Sequence, residues 1–339
     1  MIAKLLAASI VLASLVGPLS SQQANSLDPR LAESTVLSFI DVFNREYFDV
    51  GISSRVEVEL RKGLAEGRYA AARAPNELTT LLNRDVFAIA QDKHVDVRAI
   101  VPRPPGAPSE RRDTPTTAGF RRTEVLPGNV GLLDLAFFLR LVEHRDAMTA
   151  AMAKLQTTDA LILDMRDNSG GSPDTVALLM SYLFERPGMP LFDITPRRGE
   201  RQMYSTTTDP IAYRDASRPV VVLTSSKSFS GGEGIAFLLQ DHKRAVIIGE
   251  PTAGAANPGR PYPINDQFEV VVPNGQLLSA ISRKNWEGDG VMPDMRVDAA
   301  DALRIGHMQA IQALLKASTP GPRRDELRAV LKSLEADKK

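Results

Sequence analysis

The residues best suited to covalent chemistry follow an apolar strand pattern in the segment PVVVLTSSKSFSGGEGIAFLLQ, residues 219–240. Ser230 stands where this pattern changes to a helix, and Gly231 and Gly232 follow it. A serine at this junction lies at the positive end of the helix dipole, beside backbone amides that have no partner within the helix. Such amides can stabilise the oxyanion that forms when a hydroxyl attacks a carbonyl. Because the chain contains no cysteine, covalent catalysis must use a hydroxyl, a lysine or a carboxylate.

The same serine also has a purely structural interpretation. Ser230 and Glu233 match the capping box, in which the serine caps a helix and the glutamate accepts a hydrogen bond from the serine's amide. Three nearby hydroxyls compete for a catalytic role: Ser225, Ser226 and Ser228. The segment alone therefore leaves catalysis and helix capping both open.

A second strand-turn-helix pattern occupies residues 160–180, ALILDMRDNSGGSPDTVALLM. Its turn contains Gly170 and Gly171, and Ser172 and Pro173 suit the cap and the first position of the following helix. Consecutive glycines expose backbone N–H groups as a concave site for anions. The turn is expected to bind an anion, to supply one arm of an oxyanion hole, or to be a plain turn.

The regions around these two turns predict a helical subdomain followed by an α/β core. Residues 27–100 predict three helices, with Asn76 at the start of the third. Apolar residues recur there at three- and four-residue spacing: Val36, Ile40, Phe43 and Tyr47, then Val56, Val58, Leu60 and Leu64, then Leu78, Leu81, Leu82, Phe87 and Ile89. Residues 101–119 are rich in proline and predict a linker or loop.

Residues 120–318 contain short apolar runs that alternate with helical stretches, which indicates an α/β domain with a buried sheet. The predicted strands lie at 129–135, 160–165, 219–225, 245–250 and 268–273, and the predicted helices at 147–155, 175–184 and 232–239. Residues 319–339 predict a tail helix with Leu327, Leu331 and Leu334 on one side.

The amino end predicts export. Lys4 precedes an apolar run from Leu5 to Gly17, which is too short to span a membrane and fits the apolar region of a secretory signal. We therefore expect residues 1–24 to be a signal peptide, and the protein to be periplasmic or secreted, with no stable membrane insertion afterwards. The chain has 41 Lys and Arg against 41 Asp and Glu, so its charge does not favour nucleic-acid binding.

Four motifs in collinear order resemble the C-terminal processing, or tail-specific, serine peptidases. They are the two turns described above, EPTAGAANPG at 250–259 and NWEGDGVMPD at 285–294. The branch that they resemble includes interphotoreceptor retinoid-binding protein and the tricorn protease core. The resemblance extends over roughly residues 30–315 and implies a crotonase/ClpP-like α/β catalytic core with an amino-terminal helical subdomain.

The resemblance implies that Ser230 is the nucleophile. It also implies that the Gly231 amide forms an oxyanion hole together with Gly170 or Gly171. The better-known branch pairs its serine with a lysine about 25 residues downstream, but this chain has Ala255 there, and Lys243 lies in a turn. A Ser–Lys dyad is therefore not expected.

A histidine is the expected replacement for the lysine. The resemblance favours His94 in the segment AQDKH over His144, His242 and His307. An imidazole base needs an acceptor that holds its second nitrogen, and the resemblance favours Glu287 for that role. Three other carboxylates compete with it: Asp92, Asp289 and Asp294.

The sequence thus predicts a serine-type endopeptidase that acts on peptide or protein substrates. No metal or organic cofactor is implied, because motifs such as H-E-x-x-H do not occur. The chain lacks an obvious PDZ-like insertion between the helices and the core, so the sequence does not support selection of substrates by their carboxyl termini. A non-catalytic carrier of hydrophobic ligands on the same fold, and an esterase, are the alternatives.

Overall fold

The structure is a computed structural model that describes residues 27–101 and 119–337. Its helices are α1 (Pro29–Glu46), α2 (Val50–Ala65), α3 (Pro75–Ala90), α4 (Leu141–Lys154), α5 (Pro173–Ser181), α6 (Gly231–Asp241), α7 (Ala299–Ala317) and α8 (Pro322–Ala336). Its strands are β1 (Asp96–Ala99), β2 (Phe120–Leu126), β3 (Val130–Leu135), β4 (Ala160–Asp164), β5 (Pro190–Pro196), β6 (Gln202–Ser205), β7 (Val220–Thr224), β8 (Val246–Gly249), β9 (Gly259–Pro263), β10 (Phe268–Pro273), β11 (Gly275–Ser279) and β12 (Met295–Arg296).

The central sheet has six strands in the order β12, β8, β7, β4, β3 and β2. All neighbours are parallel except β2, which pairs with β3 in the antiparallel direction. β4 and β7 are buried along their whole length, as expected for apolar strands that are covered on both faces. The predicted α/β core is therefore confirmed, and four of the predicted apolar runs form its inner strands β3, β4, β7 and β8.

Helices cover the two faces of this sheet. On one face, α4, α5 and α6 pack against residues such as Leu161, Leu163 and Val222. On the other face, α7 and α8 pack against the alternating residues, such as Ile162 and Val221. Leu327 is buried in that second cluster, and Leu331 and Leu334 pack partly against it. The apolar side of the tail helix thus lies against the central sheet.

Two smaller antiparallel sheets flank the central one. β5 lies between β11 and β6 in the first, and β10 lies between β1 and β9 in the second. The predicted strand at 268–273 is therefore present as β10, but it does not belong to the central sheet. Its partner β1 directly follows the helical region, so β10 connects the helices to the rest of the molecule.

The three predicted amino-terminal helices are confirmed as α1, α2 and α3. Their core contains three stacked rings: the centroid of the Phe43 ring lies 5.3 Å from that of Phe39 and 4.5 Å from that of Tyr47. Three side chains of β10 complete this core: Phe268, Val270 and Val272.

Three details of the helical region differ from the prediction. Val58 is 70% exposed and Phe87 is 44% exposed, because both lie outside the buried face of their helices. α3 begins at Pro75, and Ala74 occupies the cap position instead of Asn76. Proline fits the first helical position because the N–H that it lacks would have no partner there.

The expected signal peptide and most of the expected linker at 101–119 lie outside the described residues. Within residues 27–101 and 119–337, none of the helices combines the length and the apolar character that crossing a membrane requires.

Candidate active site

Ser230 occupies a sharp turn between the end of β7 and the start of α6. Its φ of 52° lies in the left-handed region, which costs a non-glycine residue about 1–3 kcal/mol and occurs mostly at functional sites. The Ser230 amide donates a hydrogen bond of 2.7 Å to Glu233 Oε2, so the glutamate's part of the predicted capping box forms. The Ser230 side chain itself is only half-buried.

The competing serines have other surroundings. Ser228 Oγ donates to the carbonyl of Met165 at 2.8 Å, and Ser225 Oγ donates to the carbonyl of Arg166. Both side chains are buried and fix the strand ends together, whereas Ser226 is exposed. Ser230 is thus the hydroxyl of this segment that stands at the helix N-terminus without being used to join the strands.

The glycine turn of residues 170–171 lies directly against Ser230. A β-carbon added to Gly170 would lie 2.5 Å from Ser230 Cβ, and one added to Gly171 would lie 2.0 Å from the carbonyl oxygen of Phe138. Their φ angles are +88° and +130°, in the region that favours glycine. Only glycine therefore allows this turn to approach the serine so closely.

Two of the three candidate oxyanion donors are free. The Gly170 amide donates to Asn168 Oδ1 at 2.8 Å, so it is not available to a substrate. Among the described residues, the amides of Gly171 and Gly231 donate to no protein acceptor. A β-carbon added to Gly231 would lie 3.3 Å from the nitrogen of Gly171, so both free amides border one space. The oxyanion-hole hypothesis accordingly narrows to Gly171 and Gly231.

His94 reaches this region from the helical end of the chain. It follows α3, and its amide donates to Asp92 Oδ1 at 3.0 Å, which fixes the turn that presents the ring. The imidazole packs 4.9 Å from the ring of Phe229, the residue before Ser230. No hydrogen bond joins Ser230 Oγ to His94 within the described residues. Catalytic hydrogen bonds are often long or unformed without substrate, so this separation leaves His94 a candidate.

Two carboxylates lie beside the His94 ring. His94 Nδ1 is 3.8 Å from Asp92 Oδ1, and Glu287 completes a group in which one ligand atom of each residue lies within 4.8 Å of the others. Glu287 Oε2 accepts hydrogen bonds from the amides of Ala256 and Asn257 at 2.7 and 3.1 Å. Among the residues that the structure describes, neither buried His94 Nδ1 nor buried Glu287 Oε1 has a hydrogen-bond partner.

Burial and mutual repulsion govern the charges of this group. Burial lowers the pKa of His94 to about 4, so the ring is neutral near pH 7 and can accept a proton. Burial, with the Asp92 charge as a second cause, raises the pKa of Glu287. Burial also raises the pKa of Asp92, despite a 3.3 Å hydrogen bond from the Tyr47 hydroxyl. The two carboxylates therefore retain protons above the usual range for carboxyl groups.

The remaining candidates lie elsewhere. Asp294 accepts hydrogen bonds from Gln240 Nε2 and the Ile247 amide, and Asp289 is exposed. The other histidines contact structural partners: His144 accepts from the Leu139 amide, His307 contacts the Pro127 carbonyl, and His242 packs on Phe184 at the end of α6. Lys243 lies in the turn after α6, as predicted.

An apolar cavity of about 70 Å³ lies beside Ser230 and Gly231. Its walls include Val176, Phe192 and Leu277, and Trp286 closes it near Gly234. The sequence did not predict this cavity, because its lining comes from α5, β5, α6, β11 and the loops that hold Gly171, Ala256 and Trp286. Asp92, Glu287 and His94 together also have donor types that bind metal ions, and the same set is what an imidazole base and its orienting acceptor require.

Comparison with known proteins identifies relatives of this arrangement. Residues 129–297 match the model described as Peptidase family S41. A carboxyl-terminal-processing peptidase 2, chloroplastic, from Arabidopsis thaliana is 31% identical over 160 residues, covering 43% of this chain and 29% of the relative. A C-terminal processing peptidase, chloroplastic, from Tetradesmus obliquus is 28% identical over 240 residues, covering 63% of this chain and 49% of the relative.

The chain thus spans about half or less of the length of these curated relatives. Among solved structures, a putative peptidase from Parabacteroides merdae superposes with a TM-score of 0.57 and 17% identity, covering 86% of this chain and 96% of that one. A lipoprotein from Streptococcus agalactiae superposes with a TM-score of 0.55 and 17% identity, covering 89% and 100%. These structures share the fold. The family match begins after His94, so the candidate base lies outside the matched residues.

Proposed function

The chain belongs to peptidase family S41, and from this premise we propose that it is a serine-type endopeptidase that cleaves peptide bonds through an acyl-enzyme on Ser230. In this mechanism His94 removes the proton of the Ser230 hydroxyl as Oγ attacks the peptide carbonyl. His94 then returns the proton to the leaving amine, and the same base activates the water that releases the acyl group.

The free amides of Gly171 and Gly231 are proposed to bind the oxyanion of each tetrahedral intermediate. Each such donor contributes about 2.7–4 kcal/mol to the stabilisation of a comparable transition state. Glu287 is proposed to accept a hydrogen bond from Nδ1–H of His94, which directs the other ring nitrogen towards Ser230. Closing the present gap between Ser230 Oγ and the imidazole is then part of substrate binding.

One observation carries the proposal: Ser230, which is half-buried and has a strained backbone, lies against the free amides of Gly171 and Gly231. The neutral imidazole of His94 packs on Phe229, the residue directly before this serine. The carrier alternative receives less support from the cavity beside Ser230. At about 70 Å³ it is roughly half the size of the 150 Å³ cavities that hold benzene, so a large hydrophobic ligand does not fit there.

The organisation of the molecule around this site is also a proposal. We propose a helical subdomain at 27–100, a catalytic core at 120–318 and a tail helix at 319–339. The apolar cluster of the helices supports this division, because it is distinct from the two clusters that cover the central sheet and meets the core through β10. Export through the signal peptide at 1–24, to the periplasm or the exterior, is proposed from the apolar run Leu5–Gly17. The proposed partner is a peptide or protein substrate.

A fluorophosphonate probe tests the catalytic proposal, because it reacts with activated serine hydroxyls. We expect the purified chain to be labelled on Ser230, Ser230→Ala to remain unlabelled, and His94→Gln to be labelled about 100–10,000 times more slowly. Ser226→Ala is the matched control and should react like the wild type. Labelling should accompany peptide hydrolysis, and activity on esters alone would favour the esterase.

Absence of labelling at every pH from 6 to 9 would overturn the catalytic proposal. Labelling that survives in Ser230→Ala would assign the nucleophile to another residue.

A further inference from the structure

Glu233 makes more hydrogen bonds than a helix cap requires. Its side chain is fully buried, and its carboxylate accepts four hydrogen bonds within the described residues. One comes from the Ser230 amide at 2.7 Å, which is the capping interaction. The other three come from Thr252 Oγ1 at 2.6 Å, the Gly254 amide at 2.6 Å and the Ala255 amide at 3.0 Å. These three donors belong to the loop after β8, not to the helix.

The same loop holds Glu287. Directly after Gly254 and Ala255, the amides of Ala256 and Asn257 donate to Glu287 Oε2. The indole N–H of Trp286 donates to the carbonyl of Ala255 at 3.0 Å, which fixes the residue before Glu287. The position of Glu287 therefore depends on the position of residues 254–257, and that position depends on Glu233.

From these contacts we infer that Glu233 is a positioning residue for the reaction: it fixes the Ser230 turn and, through residues 254–257, the carboxylate that faces His94. This inference rests on the proposed function. It assigns to one side chain the relative placement of the nucleophile and of the acceptor for the imidazole, which come from distant parts of the chain. A capping role alone would account only for the bond to Ser230.

The four hydrogen bonds that Glu233 accepts require a carboxylate at this position. Burial raises the pKa of Glu233, whereas its hydrogen bonds from Thr252, Gly254, Ala255 and Ser230 favour the ionised form. A carboxylate accepts on both oxygens, but a carboxamide presents an N–H₂ group on one side. In Glu233→Gln, that group would face an N–H donor and push the loop or the helix terminus away.

The experiment compares Glu233→Gln, Glu287→Gln and the double variant with the wild-type chain. Fluorophosphonate labelling counts the competent sites, and peptide hydrolysis is then expressed per competent site. A displacement of about 1 Å in a catalytic group costs about 100-fold in rate, so we expect kcat of Glu233→Gln to fall by about that factor with little change in KM. The double variant should lose much less than the product of the two single losses, because both act through Glu287.

Glu250→Gln is the matched control. Glu250 also accepts backbone hydrogen bonds, from Ser226 and Ala299, but it contacts neither Ser230 nor residues 254–257. We expect its kcat per competent site to equal that of the wild type.

Three results would overturn the inference while leaving the proposed function intact. They are an unchanged kcat per labelled site in Glu233→Gln, a loss confined to the number of competent sites, and losses in the double variant that multiply. A wild-type chain that is never labelled would instead overturn the proposed function itself.

Discussion

Asp92 and Glu287 place two buried carboxyl groups beside a single imidazole. Because burial and the charge of Asp92 raise the pKa of Glu287, the pair gives up its second proton at a pH above the usual range for carboxyl groups. His94 is already neutral above about pH 4, so its own protonation does not limit activity near neutrality. We expect the acid limb of the pH–rate profile to report the carboxyl pair, because only an ionised carboxylate accepts the hydrogen bond from His94 Nδ1–H.

Asp92→Asn tests this assignment. The variant removes the like charge beside Glu287, so the pKa of Glu287 falls and the acid limb of the labelling rate moves to lower pH by about one unit. The measurement is the rate of fluorophosphonate labelling from pH 4 to 9. Asp289→Asn is the control, because Asp289 lies two residues after Glu287 but is exposed. This variant should leave the pH dependence of labelling unchanged. Superimposable profiles for Asp92→Asn and wild type would refute the assignment.

For single residues, the sequence predicted which side chains belong to the candidate site better than it predicted their contacts. Ser230, His94 and Glu287 were proposed from motifs, and the structure brings His94 and Glu287 together and packs His94 on Phe229. Asp92 was only a competitor, although its place two residues before His94 made it the carboxylate closest in sequence. The contacts between Glu233 and the loop after β8 were missed, because a capping pattern gives no information about distant donors.

At the scale of elements, the cavity beside Ser230 lies where a substrate side chain next to the cleaved bond would fit. Its apolar lining and its volume of about 70 Å³ suit a small aliphatic side chain. Leu277 on β11 is one wall of this cavity. The width of the cavity therefore depends on how closely β11 packs on α6.

Leu277→Ala should enlarge the cavity, so that larger substrate side chains fit next to the cleaved bond. We compare kcat/KM for two peptides that carry either leucine or alanine next to the cleaved bond. The leucine-to-alanine ratio of these values should rise about tenfold in the variant, because one or two methylenes in an apolar pocket change discrimination by about 10–200-fold. Peptides that differ only at this residue provide the measurement, with rates expressed per labelled site. Ile281→Ala, which removes an exposed side chain just beyond β11, is the control. An unchanged ratio in Leu277→Ala would exclude the cavity as the determinant.

The predicted elements were those with a strong local pattern. Nearly continuous apolar runs predicted β3, β4, β7 and β8, because parallel strands buried on both faces consist mostly of apolar residues. β6 and β9 were missed, since QMYS is polar and GRPYP contains two prolines. Such strands form because a neighbouring strand supplies hydrogen bonds, and that information is not local.

At the scale of the whole molecule, the buried carboxyl pair lowers stability at high pH. The folded-state pKa of Glu287 is raised above its ordinary value, so the folded chain holds a proton that the unfolded chain has already lost. Its contribution to the free energy of unfolding is therefore present at low pH and is lost as pH rises through the raised pKa.

Glu287→Gln should consequently be less active but more stable in alkaline solution. The difference in Tm between the variant and the wild type is expected to become more positive from pH 4 to pH 8, by about 1–2 °C for each kcal/mol of relieved repulsion. Thermal unfolding at several pH values measures it, with the exposed Glu335→Gln as control. A difference that does not vary with pH would contradict the expected linkage.

The packing of α1, α2 and α3 on β10 has a consequence for how the protein is synthesised. A ribosome finishes these helices and His94 long before it reaches Phe268, Val270 and Val272, which complete the same apolar core. Phe39 and Phe43 cannot be fully buried until those later residues have left the exit tunnel. A nascent chain therefore cannot hold His94 in its final position, and the proposed site can form only after β10 has been synthesised.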